Sequence, residues 1–406
     1  MIGDGKVTCL KILFITPVYH PAWEYGGIVP ALKDQIARLH EIGNNVVIVT
    51  TDACNKIERI KKNCENNEGL KIIRFRNLIN LLAWQRIFIP IISNRKLKKI
   101  ISESDIIHIV DYRFLPNYFI SNYAIKNDIP YVITPLNPFK EYSRKKLLKS
   151  LFDRTLGKDI INNASAVFAE NEVEKQSYIS KGLDDKKIAV NPHIIDTNSL
   201  IPHNVYDIKQ IYNIPRESKL IVYLGRIDHV KGTDILVKAF SKALNNINEK
   251  KTFLLIAGPD AGFKNKVVKL INLEHLNDRI IFTGPVLGDL KLSILLAADV
   301  VVVPSRHEEF GRVPVEAFAL GIPVIVTQNC GVNLWMKDYF DKIVLTEDEM
   351  SDAIVYVLNN NIKNSLSKEA RKNIVEELFS WKKTILLTLK IYEDAISSKK
   401  TKSINN

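Results

Sequence analysis

Four consecutive valines, Val300–Val303, stopped by Pro304-Ser305, constrain this chain more than any other stretch. Neighbouring side chains of a strand point to opposite faces, so an all-aliphatic run must be buried on both, as in a parallel sheet covered by helices. The residues that follow predict a loop through Glu308, a helix opening at Pro314, where a missing N–H costs nothing, and a left-handed stop at Gly321. The next strand is Pro323–Thr327. Glu308 then lies at the carboxyl end of a strand, where open α/β sheets bind ligands, and Glu316 lies in the first helical turn. Free N–H groups of Val315 and Glu316 would suit an anion there. Two readings of the carboxylates stand at this point. Either Glu316 caps the helix dipole and Glu308-Glu309 is a solvated acidic loop, or both accept sugar hydroxyls, at roughly 1.5–3 kcal/mol per charge-assisted bond.

The alternation of strand and helix extends over the whole chain. Strand-length apolar runs occur at Leu10–Thr16, Val46–Thr51, Lys71–Phe75, Asp105–Val110, Tyr131–Thr134, Ala166–Ala169 and Lys187–Val190. They resume at Leu220–Leu224, Phe253–Gly258 and Ile280–Gly284, after a polar stretch with Pro202 and Pro215. A chain of 406 residues exceeds what one core usually serves. The expectation is an α/β protein of two doubly wound, Rossmann-like domains facing a central cleft. The domains fall at 1–200 and 219–378, with a linker at 201–218, a helix at 379–396 returning to the first domain and a disordered tail at 397–406. Gly26-Gly27 stands at the entrance of a helix, Ile28–Ile42, without the GxGxxG spacing. It serves either a tight turn or a close backbone approach to phosphate.

The formal net charge of +12 favours anionic partners: nucleotides, pyrophosphates, acidic lipid headgroups or nucleic acid. No interleaving of aromatic and basic residues supports nucleic acid. An amphipathic helix over Ser143–Gly157, with Arg144, Lys145, Lys146 and Lys149 on one side, either lies on an anionic membrane surface or is a solvated face. Cys9, Cys54, Cys64 and Cys330 are scattered without metal-ligand spacing, which implies a reducing, cytoplasmic compartment and no metal site. The amino end is too polar for a signal peptide. The apolar stretch Leu78–Ile92 is interrupted by Gln85, Arg86 and Pro90 and is too short to cross a bilayer.

Three motifs coincide in the second half: Gly225-Arg226 with Lys231-Gly232, Phe282-Thr-Gly284-Pro-Val286, and Glu308-Glu-Phe-Gly-Arg-Val-Pro-Val-Glu316. Together with Gly26-Gly27 this combination resembles the retaining glycosyltransferases of family 4, which have the GT-B fold. The resemblance runs from Lys11 to Ile396. It implies that Arg226 and Lys231, beside Gly225, grip the donor pyrophosphate, where a departing nucleoside diphosphate needs its growing charge neutralised. It implies that Glu316 holds the donor ribose and that Glu308 contacts the transferred sugar beside the backbone of Phe310, Gly311, Arg312 and Val313. Val286 joins the donor site, and Gly26-Gly27 approaches the donor phosphates from the other domain.

The first half departs from the family pattern. Val110 stands where many members have a histidine, leaving only His108 as a packed strand residue. Thr134-Pro135-Leu136-Asn137 and Pro192-His193-Ile194-Ile195-Asp196 also differ from their usual counterparts. The resemblance implies front-face transfer of a sugar from a nucleotide diphosphate donor to a glycan or lipid-linked hydroxyl acceptor. It needs no cofactor, no metal and no protein nucleophile. The departures motivate an alternative, a nucleotide-sugar-binding partner of another transferase that has lost turnover. Nucleic-acid binding and an epimerase or phosphorylase on the same fold are further rivals.

Overall fold

The computed structural model describes residues 9–67, 69–136, 151–247, 251–360 and 366–404. Two compact units result. The first runs to Ile194 and includes the terminal segment from Trp381; the second is Ile195–Ser380.

In the first unit eight strands form one sheet: β1 (Lys11–Ile15), β2 (Asn45–Thr51), β3 (Cys64–Asn67), β4 (Leu70–Phe75), β5 (Ile106–Val110), β6 (Tyr131–Thr134), β7 (Ala166–Ala169) and β8 (Ile188–Val190). Their order is β3-β4-β2-β1-β5-β6-β7-β8. All pairings are parallel except β3 with β4. The aliphatic runs give the central strands: β5 is buried at all five positions, as two covered faces require. β3 escaped the sequence reading because Cys64-Glu-Asn-Asn67 is a polar edge with no aliphatic face.

In the second unit six strands, all parallel, take the order β11-β10-β9-β12-β13-β14. They are β9 (Lys219–Leu224), β10 (Thr252–Ala257), β11 (Ile280–Gly284), β12 (Val300–Val303), β13 (Val324–Thr327) and β14 (Lys342–Val344). The four valines of β12 are buried on both faces, as their sequence requires.

Each sheet has one position where the chain, having built outwards in one direction, returns to build in the other. In the first unit it lies between β1 and β5, in the second between β9 and β12. Loops leaving neighbouring strands at such a point part company and leave a crevice at the carboxyl ends. In the second unit Val300 and Val301 pair with Ile221 and Val222, and the loops beyond are 225–232 and 304–311.

Several boundaries differ from expectation. The crossing between units lies at Ile194–Ile195, and residues expected as a linker at 201–218 belong to the second unit, where Ile208 and Ile214 join its core. The final helix runs from Trp381 to Ile404, so the disordered tail expected from 397 is helical to 404. Helical propagation continues through Ser397 and Lys399 because neither breaks the hydrogen-bond ladder. Ile385, Leu389 and Tyr392 of that helix are buried in the first unit. Of the basic helix expected over Ser143–Gly157, residues 143–150, with Arg144, Lys145, Lys146 and Lys149, lie outside the described residues, as does Asn137.

Candidate functional site

Both loops at the second unit's switch point are tied to each other. Gly232 adopts φ 69°, and a Cβ there would lie 2.0 Å from the Pro304 carbonyl oxygen, so only glycine lets loop 225–232 lie this close to loop 304–311. The Arg306 N–H donates to the Val230 carbonyl (2.8 Å), and its guanidinium donates to both oxygens of Asp234 (2.7 and 2.8 Å) and to the His229 carbonyl (2.8 Å). This lacing presents two side chains to one another: the Lys231 ammonium donates to Glu308 Oε2.

Asp228 organises the first loop. Its carboxylate accepts the Lys231 backbone N–H (3.0 Å) and pairs with the Arg226 guanidinium (3.0 Å). One acid thus holds the two cations of the loop. Sequence reasoning missed it, although an Asp three residues before the end of a short turn is an ordinary capping signal. Gly225 donates its N–H to Ala257 (2.9 Å), and its carbonyl packs against Gly258.

The helix after Glu308 is Arg312–Leu320, two residues earlier than Pro314 suggested. Gly311, at φ 94°, turns the chain into it; a Cβ there would meet Cys330 Sγ at 2.7 Å and Glu308 Cγ at 3.4 Å. This corrects two expectations. Glu316 is the fifth helical residue, not a first-turn one, and the N–H groups of Val315 and Glu316 are spent inside the helix. The first-turn amides that an anion would meet start with Gly311 and Val313. Phe310 is buried, stacked edge-on against Phe379 at 5.1 Å, so only its backbone faces the loop. Behind the loop, Glu308 is bracketed by the Cys330 turn: its N–H donates to Asn329 (3.0 Å) and its carbonyl accepts from Gly331 (2.8 Å).

Glu316 is 3% exposed, and its charge has two partners. Lys291, from the helix Gly288–Ala297, donates to Oε2 at 2.5 Å, and Arg312 Nε lies 3.7 Å from Oε1. Burial alone pushes this carboxyl up; Lys291 and Arg312 outweigh it and hold the pKa below the ordinary carboxylate value. Glu308 and Glu316 each thus have a cation of their own, Lys231 and Lys291, which offsets the repulsion between two neighbouring acids. Lys291 was not foreseen, because no local signal links residue 291 to residue 316. Arg226, Lys231, Lys291 and Arg312 stand against Asp228, Glu308 and Glu316, four cations to three carboxylates. Val286 lies in the second unit's core, beyond edge strand β11.

Gly26 and Gly27 belong to the first unit, on the loop after β1 at that sheet's switch point. Gly26 has φ 100°, and nothing lies within 4 Å of where a Gly27 Cβ would be. His108 is fully buried: its ring stacks between Phe14 and Phe168 (4.7 and 5.3 Å), with Nδ1 at 2.6 Å from the Tyr392 hydroxyl and Nε2 at 2.8 Å from that of Thr134. Desolvation pushes its pKa down to about 3. It is a core residue, as its strand position predicted. At the ends of β7 and β8, His193 Nε2 lies 2.9 Å from Glu170 Oε1. Glu170 was not singled out in the sequence.

Among the described residues no group of three His, Cys, Asp or Glu is placed to hold a metal ion, and no helix is long and apolar enough to cross a membrane. Residues 25–199 match the family model "Glycosyltransferase Family 4", and residues 205–377 match "Glycosyl transferases group 1". The D-inositol 3-phosphate glycosyltransferase of Mycolicibacterium smegmatis is 28% identical over 246 residues, 59% of this chain and 55% of that one. The chain thus spans little more than half the length of such curated relatives. Among solved structures, sucrose-phosphate synthase from Thermosynechococcus elongatus superposes with a TM-score of 0.72 at 19% identity, covering 96% of this chain and all of that one. HepE of Anabaena, in complex with UDP and glucose, gives 0.72 at 16% identity over 95% of this chain and all of that one. These likenesses concern the fold, which is GT-B with two Rossmann-like units.

Proposed function

Since the chain belongs to glycosyltransferase family 4, we propose that it transfers a sugar, with retention, from a nucleotide diphosphate donor to a hydroxyl acceptor. The observation that carries this reading is the pairing of Lys231 with Glu308 at the switch point of the second sheet, beside the buried and ionised Glu316. Lys291 and Arg312 keep Glu316 ionised, and an ionised carboxylate has lone pairs beyond those two contacts with which to accept from a ribose diol. In this reading Arg226 and Lys231 take the donor diphosphate, offsetting the charge that grows as it departs without a metal ion. Glu316 takes the ribose and Glu308 the transferred sugar, next to the amides of Phe310 to Val313. Val286 and Gly225 complete the donor site within the second unit. The leaving phosphate accepts the acceptor's proton, so Glu308 is not a nucleophile. HepE was solved with UDP, which makes a uridine donor the first to try. The setting that fits is cytoplasmic assembly of a polysaccharide, glycan or lipid-linked oligosaccharide, with peripheral contact to the membrane face.

The test is acceptor-dependent release of nucleoside diphosphate by the full chain, with calorimetric binding of UDP and related diphosphates. Lys231→Ala and Glu316→Ala are each expected to weaken binding tenfold or more and to abolish release, because each removes a charge-assisted contact. Unchanged affinity in both variants refutes the site. A second reading, a binding partner without turnover, is favoured by Val110, an aliphatic core residue where many relatives have a histidine. Tight diphosphate binding with no release for any acceptor would select it.

A further inference from the structure

The net charge of the chain is strongly localised. Between Lys56 and Lys99 there are twelve Lys and Arg and three Glu, so this window alone accounts for nine of the twelve net positive charges. The same window carries an unusual set of bare aliphatic side chains. Ile57 is 87% exposed, Leu78 and Ile91 59%, Leu81 54%, Ile79 52% and Ile89 41%.

These residues are not scattered tips. Leu78 N–H donates to the Ile89 carbonyl (2.9 Å) and Ile91 N–H to the Arg76 carbonyl (2.8 Å), which joins strand-like segments on either side of the short helix Asn80–Trp84. The Arg59 guanidinium donates to the Asn77 carbonyl (2.5 Å) and the Asn80 amide to the carbonyls of Asn55 and Lys56 (both 3.1 Å), bringing in the loop that bears Ile57. Backbone and side-chain hydrogen bonds thus lace together the segments that carry the exposed aliphatic side chains, and an ordered apolar surface of this kind marks an interaction site. Around it, Lys61, Lys62, Arg76, Arg95 and Lys96 are exposed and, among the described residues, form no ion pair. In the helix Asn94–Ser102 the buried side is Leu97 and Ile101, which leaves its cations outward.

We propose that this surface, built from loops 54–62 and 76–91 and the start of the helix Asn94–Ser102, docks the protein on an anionic lipid bilayer. Aliphatic tips enter the acyl boundary while the surrounding cations meet lipid phosphates. The exposed side chains are aliphatic, not the aromatic platforms on which bases stack, which favours a lipid over a nucleic acid. The inference deepens the membrane contact named above and rests on that part of the reading. Donor binding in the second unit is independent of it.

Flotation of the full chain with phosphatidylcholine vesicles, with and without phosphatidylglycerol, tests it. Binding to the anionic vesicles only, declining as salt rises, is expected. Leu78→Ser, Ile79→Ser and Ile91→Ser combined should lower partitioning on the order of tenfold or more, since their side chains carry the buried apolar area. Lys61→Glu with Lys62→Glu should lower it as well and flatten its salt dependence. UDP binding is expected to be unchanged in both variants, which separates loss of docking from loss of fold or of the donor site. Absence of binding to anionic vesicles overturns the proposal, as does full binding by the serine variant. Binding of random DNA duplex by the parent chain, with none to anionic vesicles, would overturn it in favour of nucleic acid.

Discussion

Glu316 shows how much a single residue's chemistry depends on neighbours remote in sequence. Its side chain is buried, a position that by itself raises a carboxyl's pKa; Lys291, twenty-five residues earlier, together with Arg312 outweighs that burial. Lys291→Met leaves burial opposed by Arg312 alone, so the Glu316 pKa rises. Affinity for UDP, which in the proposed site needs the carboxylate, should then fall on acidification at a higher pH than in the parent chain. Lys291→Arg should restore the parent profile. Titration calorimetry across pH reads this directly; a Met variant whose profile overlies the parent's would show that Lys291 does not govern the charge. Cys330 is the opposite case. Burial, with the Glu308 carboxylate nearby, pushes its thiol well up, so it should resist alkylation in the folded chain.

At the scale of elements, glycines and one histidine set the arrangement. Gly232 carries loop 225–232 past the Pro304 carbonyl, and Gly232→Ala should destabilise the second unit by more than the roughly 1–2 kcal/mol of left-handed backbone alone, because its Cβ has no space. Denaturant unfolding of the variant measures this, and a cost under that figure would mean that the loops relax apart. His108 bridges β5 to the final helix through Tyr392 and to β6 through Thr134. Its folded pKa of about 3 lies below the unfolded value of 6.5, so the unfolded chain takes up a proton that the folded chain refuses. Its contribution is complete above pH 6.5 and is lost progressively as pH falls towards 3. His108→Leu should lower stability at neutral pH, through the two abandoned hydroxyls, and flatten the decline below pH 6.5. Thermal melts between pH 4 and pH 8 (roughly the span over which the ring titrates) distinguish the two slopes.

For the whole molecule, the terminal helix decides which unit owns which end of the chain. Ile385, Leu389 and Tyr392 are buried in the first unit, each contributing roughly 1.5–3 kcal/mol of apolar burial. Truncation after Ser380 should therefore strip protection from the amides of β5 and β6 in hydrogen exchange while leaving β9, β10 and β12 protected. Loss of protection in both units would show that the second does not hold its core alone. The two sheets also share a plan: each carries a candidate ligand loop, Gly26-Gly27 after β1 and Arg226 to Lys231 after β9, at its own switch point.

Much of this was legible along the chain because it is set by short-range physics. Aliphatic runs such as Val300–Val303 dictate doubly covered strands, glycines such as Gly321 dictate helix ends, and the order of Arg226, Lys231, Glu308 and Glu316 identifies the family. Helix starts were less legible, since Pro314 is equally at home at the first or third helical position and only Gly311's packing against Cys330 chooses. Strand order is not encoded locally at all. That β12 lies against β9, so that Lys231 meets Glu308 across seventy-seven residues, and that Lys291 underlies Glu316, follow from how helices and strands pack. Side-chain charge partners are selected by that packing, which acts through space and leaves no periodic trace in the sequence.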